Sequence, residues 1–170
     1  MEKKKIIIIT DGDNWARQTI EAAGKRLGLR TISASAGNPT RLPAAALINE
    51  IMEAEVEPVL VMVDDAGERK KGHGERLMET LLLHNQLSVL GVIAVAANTK
   101  RVAGVPVTFS ITKEGKIHPG PVDKDGKPEP NGQDRVEGDT VDVLNGLHVP
   151  IVVGIGDIGK TSPADRADAG

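Results

Sequence analysis

Hydrophobic and polar positions along this chain switch repeatedly between two periods. Lys5-Ile6-Ile7-Ile8-Ile9 is a near-continuous β-branched run that stops abruptly at Thr10-Asp11-Gly12-Asp13, the pattern of a strand buried on both faces that delivers acids to a βα turn. Trp15, Ala16, Thr19, Ile20, Ala23 and Leu27 then recur at three and four. That spacing predicts a helix over 14–27, capped by Asp13 or Asn14 and ended by Gly28. A short strand is predicted over 29–33, a turn of small residues over 35–40, and a helix over 44–54 behind Pro43. Val59-Leu60-Val61-Met62-Val63 is another buried strand, broken by Asp64-Asp65-Ala66-Gly67. A charged, glycine-punctuated loop then leads to a helix over 75–84, with Leu77, Met78, Leu81 and Leu82 inward, and to a strand over 89–96. This alternation predicts an α/β fold, a three-layer open sheet of mainly parallel strands with helices on both faces and right-handed crossovers.

In the second half the pattern changes. Val107 to Thr112 and Lys116-Ile117 flank Lys113-Glu114-Gly115, which predicts a β-hairpin. Residues 119–138 are crowded with Gly, Pro and charge and read as a long exposed loop; within it Asp123-Lys124-Asp125-Gly126 has the glycine too early for a calcium loop and reads as a plain turn. A short capped helix is expected over 139–147 and a last buried strand over 151–154. One domain over 1–160 and a disordered polar tail over 161–170 complete the expected organisation.

Composition narrows the function classes. Trp15 and Phe109 are the only Phe, Trp or Tyr residues, so the core is aliphatic and stacking on nucleic-acid bases is disfavoured. A net charge of −3 leaves no broad basic footprint for DNA or RNA. The chain has no cysteine, hence no disulfide framework and no thiolate zinc site. No apolar run approaches the roughly 20 residues that span a bilayer, and Ile6 to Ile9 is too short for a signal-peptide core. The expected location is cytoplasmic.

Candidate chemistry concentrates where strands end. Asp11, Asp13, Asp64, Asp65 and Asp157 each follow a predicted strand. Singly, each reads as a helix cap. As a group converging at the carboxyl ends of a parallel sheet, they read as hard oxygen ligands for Mg²⁺ or Ca²⁺. The turn Gly154-Ile155-Gly156-Asp157-Ile158-Gly159-Lys160 is neither a Walker loop nor a full dinucleotide fingerprint, but the Gly156 backbone and Lys160 are candidates for contacting an anion. Asn38 and Arg41 are two more. The four histidines show no metal-ligand spacing and no paired nucleophile.

Four stretches carry a family resemblance: Thr10-Asp11-Gly12-Asp13; Gly37-Asn38-Pro39-Thr40; Val61-Met62-Val63-Asp64-Asp65; and Gly138 to Asn145 leading into Pro150 to Lys160. The chain resembles the stage V sporulation protein AE family, the short soluble product of the spoVA operon of spore-forming Firmicutes. The resemblance implies a non-catalytic accessory role in moving dipicolinic acid, as its calcium chelate, into and out of the spore. It also implies partners among the other spoVA-operon proteins and a place at the inner spore membrane; a homo-oligomer is left open. A second resemblance concerns fold and gives the rival function. Asp11-Gly12 and Asp64-Asp65-Ala66-Gly67-Glu68 are similar to the acid-Gly and Asp-x-Asp motifs of Toprim domains, with Asp for Glu in the first and adjacent acids in the second. That would make the chain a Mg²⁺-dependent phosphoryl-transfer or nuclease enzyme.

Overall fold

The computed structural model describes residues 2–65, 72–97, 104–130, 133–138 and 140–157. Its strands are β1 (Lys4–Ile9), β2 (Val59–Met62), β3 (Leu87–Val95), β4 (Val105–Pro106), β5 (Phe109–Ile111), β6 (Ile117–His118), β7 (Arg135–Val136) and β8 (Val152–Ile155). The helices are α1 (Asn14–Leu27), α2 (Ala44–Glu53) and α3 (His73–Leu83). Six strands form one sheet in the order β2-β1-β3-β8-β5-β6, parallel except for β6, while β4 and β7 pair antiparallel as a separate ribbon. The α/β reading holds.

Each element follows from its residues. The Ile6, Ile8 and Ile9 side chains of β1 are fully buried, because β1 is flanked by β2 and β3 and covered on both faces. Asp13 caps α1 by accepting the Ala16 N–H at 2.9 Å, and Gly28 ends the helix at φ +66°, a conformation that glycine adopts without strain. Ala16 and Ile20 of α1 pack on Ile9, Leu60, Met62 and Val95. Leu47 and Ile51 of α2, with Leu77, Met78 and Leu81 of α3, pack over the opposite face.

Three expectations are corrected. The strand expected over 29–33 is a single bridge, Thr31 with Leu60, followed by a 3₁₀ turn at Ser33–Ser35. The cause is a side chain: the Ser35 hydroxyl donates to the Ile32 carbonyl at 2.6 Å and accepts the Met62 N–H at 2.9 Å, taking the place of a strand at that edge. The 119–138 stretch is not simply an exposed loop. Val122 and Val136 are buried in it, and Arg135–Val136 pair with Val105–Pro106. Over 139–147 there is a 3₁₀ turn at Asp142–Gly146 in place of a helix, with Thr140 at φ +69°, outside helical geometry. The Asp123 turn is plain, as expected: its Oδ1 accepts the N–H groups of Asp125 and Lys127, each at 2.9 Å. The tail over 161–170 and residues 66–71 of the charged loop lie outside the described residues.

One close contact tests the packing of β8 against β5. A Cβ at Gly154 would stand 2.4 Å from Ser110 Oγ and 2.8 Å from Val136 Cγ2. Gly154→Ala should therefore cost about 1–3 kcal/mol in urea unfolding. Because the buried Ser110 hydroxyl has no hydrogen-bond partner among the described residues, Ser110→Ala should be near neutral alone and should recover part of that loss in the double variant.

Candidate functional site

The site is built where the chain reverses across its own sheet. From β1 the chain crosses to β2 on one side, and from β2 through α3 it returns to β3 on the other. The crevice beyond the ends of β1 and β3 is therefore a topological switch point, where open α/β sheets hold their ligands. Thr10 continues β1: its N–H donates to the Ile93 carbonyl at 3.0 Å, and its Oγ1 accepts the Val95 N–H at 2.9 Å. The main chain then turns so that Asp11 Oδ1 accepts the Asp13 N–H at 3.1 Å.

Two other segments close the mouth. A Cβ at Gly12 would lie 2.6 Å from the Gly37 carbonyl, and the Gly37 N–H donates to the Gly12 carbonyl at 2.7 Å. This backbone contact, which glycine permits, brings Asn38 to the rim. On the far side, the Asp157 N–H donates to the Lys124 carbonyl at 2.7 Å. That bond fixes the turn after β8 so that Asp157 reaches past the end of β3, where Val95 and Ala97 are small enough to leave room. The result is a cavity of about 110 Å³ lined by Asp11, Asp13, Asp64, Asp157, Asn38 and Thr10, together with Val95 and Ala97.

Asp11, Asp13 and Asp157 each place a carboxylate oxygen within 4.8 Å of the other two. A cation with oxygen distances of about 2.3–2.6 Å can bridge that span. Asp11 is 8% exposed, and its pKa is pushed up to about 7, first by burial and then by the neighbouring charges of Asp13, Asp64 and Asp157. The hydrogen bond from the Asp13 N–H opposes this shift. The mouth is thus a place where negative charge is crowded and poorly hydrated, conditions that a bound cation would relieve.

The five acids do not act as one group. Asp64 lines the same cavity, held from behind by Thr40, whose Oγ1 accepts the Asp64 N–H at 3.0 Å and whose N–H donates to the Asp64 carbonyl at 2.9 Å. Asp65 turns away. Its carboxylate accepts the N–H groups of Gly74 and Glu75 at 2.6 and 3.0 Å, which caps α3. A Cβ at Gly74 would meet the Asp64 carbonyl at 2.6 Å, so that residue lets α3 start close to β2.

Of the anion candidates, Asn38 lies at the mouth, whereas Arg41 is exposed and does not line it. Gly156 packs against Gly126, 2.5 Å from its N for a Cβ, so its glycine serves a close approach. Lys160 lies outside the described residues. Reading the sequence missed Thr10 and Ala97. Thr10 stood only in the stretch Thr10-Asp11-Gly12-Asp13 that carries the family resemblance, and Ala97 lay just past the strand predicted over 89–96 with no polar side chain to mark it.

Fold and mouth together define an α/β protein with a carboxylate-lined crevice at its switch point. A family model, SpoVAE (stage V sporulation protein AE1), matches residues 5–170, and the chain belongs to that family, which gives it a role in sporulation. Comparison with curated proteins and with solved structures returned no match. Among the described residues no helix is long and apolar enough to cross a membrane.

The Asp11 shift sets a pH dependence. Its folded pKa of about 7 exceeds its ordinary 3.8. The folded state therefore binds the proton more tightly, and the stability this gives is complete below about pH 4 and is lost as pH rises through 7. Asp11→Asn keeps the acceptor oxygen and removes the titration. Between pH 5 and pH 7 the wild type should lose of order 2 kcal/mol relative to Asp11→Asn, at about 1.4 kcal/mol per unit, read from urea midpoints at the two pH values. Asp65→Ala should cost about 1–2 kcal/mol at either pH through loss of its cap.

Proposed function

We propose that this chain is a non-catalytic accessory protein of sporulation that binds a divalent cation at the Asp11–Asp13–Asp157 mouth, and that calcium carried as its dipicolinate chelate is the cargo. The observation that carries the reading is the convergence of those three carboxylates at the switch point of the sheet. The size of the cavity supports it too. About 110 Å³ suits an ion with a few waters and falls below the roughly 300 Å³ at which small-molecule pockets begin. In this reading the mouth holds the metal and the organic chelator stays outside, completing the six to eight oxygens that Ca²⁺ takes. Family membership supports the setting: action beside other spoVA-operon proteins at the inner spore membrane, with this chain peripheral to it.

The rival, a Toprim-like Mg²⁺-dependent phosphoryl-transfer or nuclease enzyme, needs Asp64 and Asp65 to act together on one metal and one phosphate. Asp65 is already committed to two N–H groups of α3, which weighs against that pairing.

Calorimetric titration of Ca²⁺, Mg²⁺ and Ca²⁺-dipicolinate distinguishes the two, run beside an assay of phosphodiester hydrolysis. Wild type and Asp65→Ala should bind Ca²⁺ with similar affinity, whereas Asp11→Asn and Asp157→Asn should each weaken binding at least tenfold. No turnover should accompany binding. Metal-dependent hydrolysis abolished by Asp64→Ala would sink the accessory reading, and Ca²⁺ affinity indifferent to Asp11 and Asp157 would remove the mouth from it.

A further inference from the structure

The mouth has a neighbour of different character. A second cavity, of about 450 Å³, lies at the start of α1 and shares Asp13 and Asn38 with the mouth as a common wall. Asp11, Asp13, Asp64 and Asp157 line the mouth, with no basic residue beside them among the described residues. In the second cavity Asp13 is the one acid among the described lining residues. Arg17 supplies a cation there, and Asn14, Asn38 and Ser33 supply amide and hydroxyl donors. Size separates the two as well. About 110 Å³ admits an ion and a few waters, whereas about 450 Å³ falls within the roughly 300–1,000 Å³ of small-molecule pockets.

Gly12 and Gly37, joined by their backbone hydrogen bond, give this cavity one wall without side chains. Another wall is the first turn of α1, which contains no acid, so Asp13 alone offsets the partial positive charge of the helix start. Arg17 stands one turn into that helix. Its Nη2 donates to Asn14 Oδ1 at 3.0 Å, which draws the guanidinium back toward the helix start. The pair it makes with Glu21 spans 4.0 Å between side chains 45% and 41% exposed, and holds the fork only weakly. The planar guanidinium can therefore grip an oxyanion with two parallel N–H bonds.

We propose, resting on the cation reading above, that this second cavity seats the oxyanion-bearing part of a small chelate whose cation is held in the mouth. Three carboxylates leave several of the six to eight oxygens of Ca²⁺ to be supplied by something else. A multidentate chelator lying against Arg17 presents oxygens to the ion across Asp13 and Asn38. Its remaining charge then meets the guanidinium instead of the four acids of the mouth. Charge also fixes the order of binding. Without the cation, a polyanion at this wall is repelled by Asp13 and its neighbours; with the cation in place, the same wall attracts it. Carboxylate and phosphate chelators share this chemistry, and a probe of each separates them.

Calorimetric titration of the full chain with Ca²⁺, Ca²⁺-dipicolinate, Mg²⁺-pyrophosphate and metal-free dipicolinate tests the proposal. Wild type should bind a metal-loaded chelate at least tenfold more tightly than the metal-free chelator. Arg17→Ala removes the fork, and Ala34→Leu fills the cavity from an exposed lining position. Each should weaken binding of the preferred chelate about tenfold without weakening Ca²⁺ binding. Arg17→Lys keeps the charge but loses the fork, and should fall between. Tighter uptake of dipicolinate assigns a carboxylate source, and tighter uptake of pyrophosphate a phosphate source. If Ca²⁺ binding depends on Asp11 and Asp157 but both cavity variants take up both chelates like wild type, this proposal fails and the cation reading stands. Dipicolinate that only withdraws Ca²⁺ from the protein would likewise overturn it. Ca²⁺ binding that ignores Asp11 and Asp157 would remove both.

Discussion

Crowding of negative charge at the end of β1 is the constraint around which this molecule is arranged. Asp11 is buried, hydrogen-bonded to its own turn and surrounded by three other carboxylates, and its raised pKa measures how poorly that charge is tolerated. Nothing in the fold requires such crowding for stability. A cap at Asp13 alone would start α1, and a neutral residue at 11 would keep the turn. Yet several backbone contacts are spent on keeping the acids together: Gly12 against Gly37, Thr40 behind Asp64, and the Asp157 N–H on Lys124. Local arrangements that work against stability and are held by their surroundings mark functional places in a protein.

The scaffold suits that task because a parallel sheet brings strand ends from distant parts of the sequence to one edge. Asp11 and Asp157 are far apart along the chain, yet β3 alone separates the strands that carry them. β3 contributes no charge of its own. By ending in small residues it keeps the mouth open, and through the Val95 N–H on Thr10 it holds the floor rigid.

Much of this was legible in the sequence, for physical reasons that can be named. The isoleucine run of β1, the spacing of α1 and α3, and the glycine turn between β5 and β6 are set by local periodicity, and all were read correctly. The 29–33 strand was misread because periodicity cannot see that the Ser35 hydroxyl takes the Met62 N–H. The Asp142–Gly146 turn was misread because Thr140 departs from helical geometry in a way its side chain does not advertise. At the site, Asp11, Asp13, Asp64 and Asp157 line the mouth and Asp65 does not; adjacency alone has Asp64 and Asp65 facing opposite sides of a continuing strand, and tertiary packing decides that Asp65 is the one that turns to α3. Whether Arg41 would point at the mouth depended on tertiary packing, and it lies outside it.

Trp15 stands two residues after Asp13, in the first turn of α1, and is 43% exposed. The chain has no other tryptophan and no tyrosine. Its intrinsic fluorescence therefore comes from one ring, at the helix end that Asp13 caps. Any rearrangement of the mouth that alters the solvent or the charge around α1's first turn falls on that single emitter, so the native protein carries its own optical probe beside the acids, with no label to perturb them.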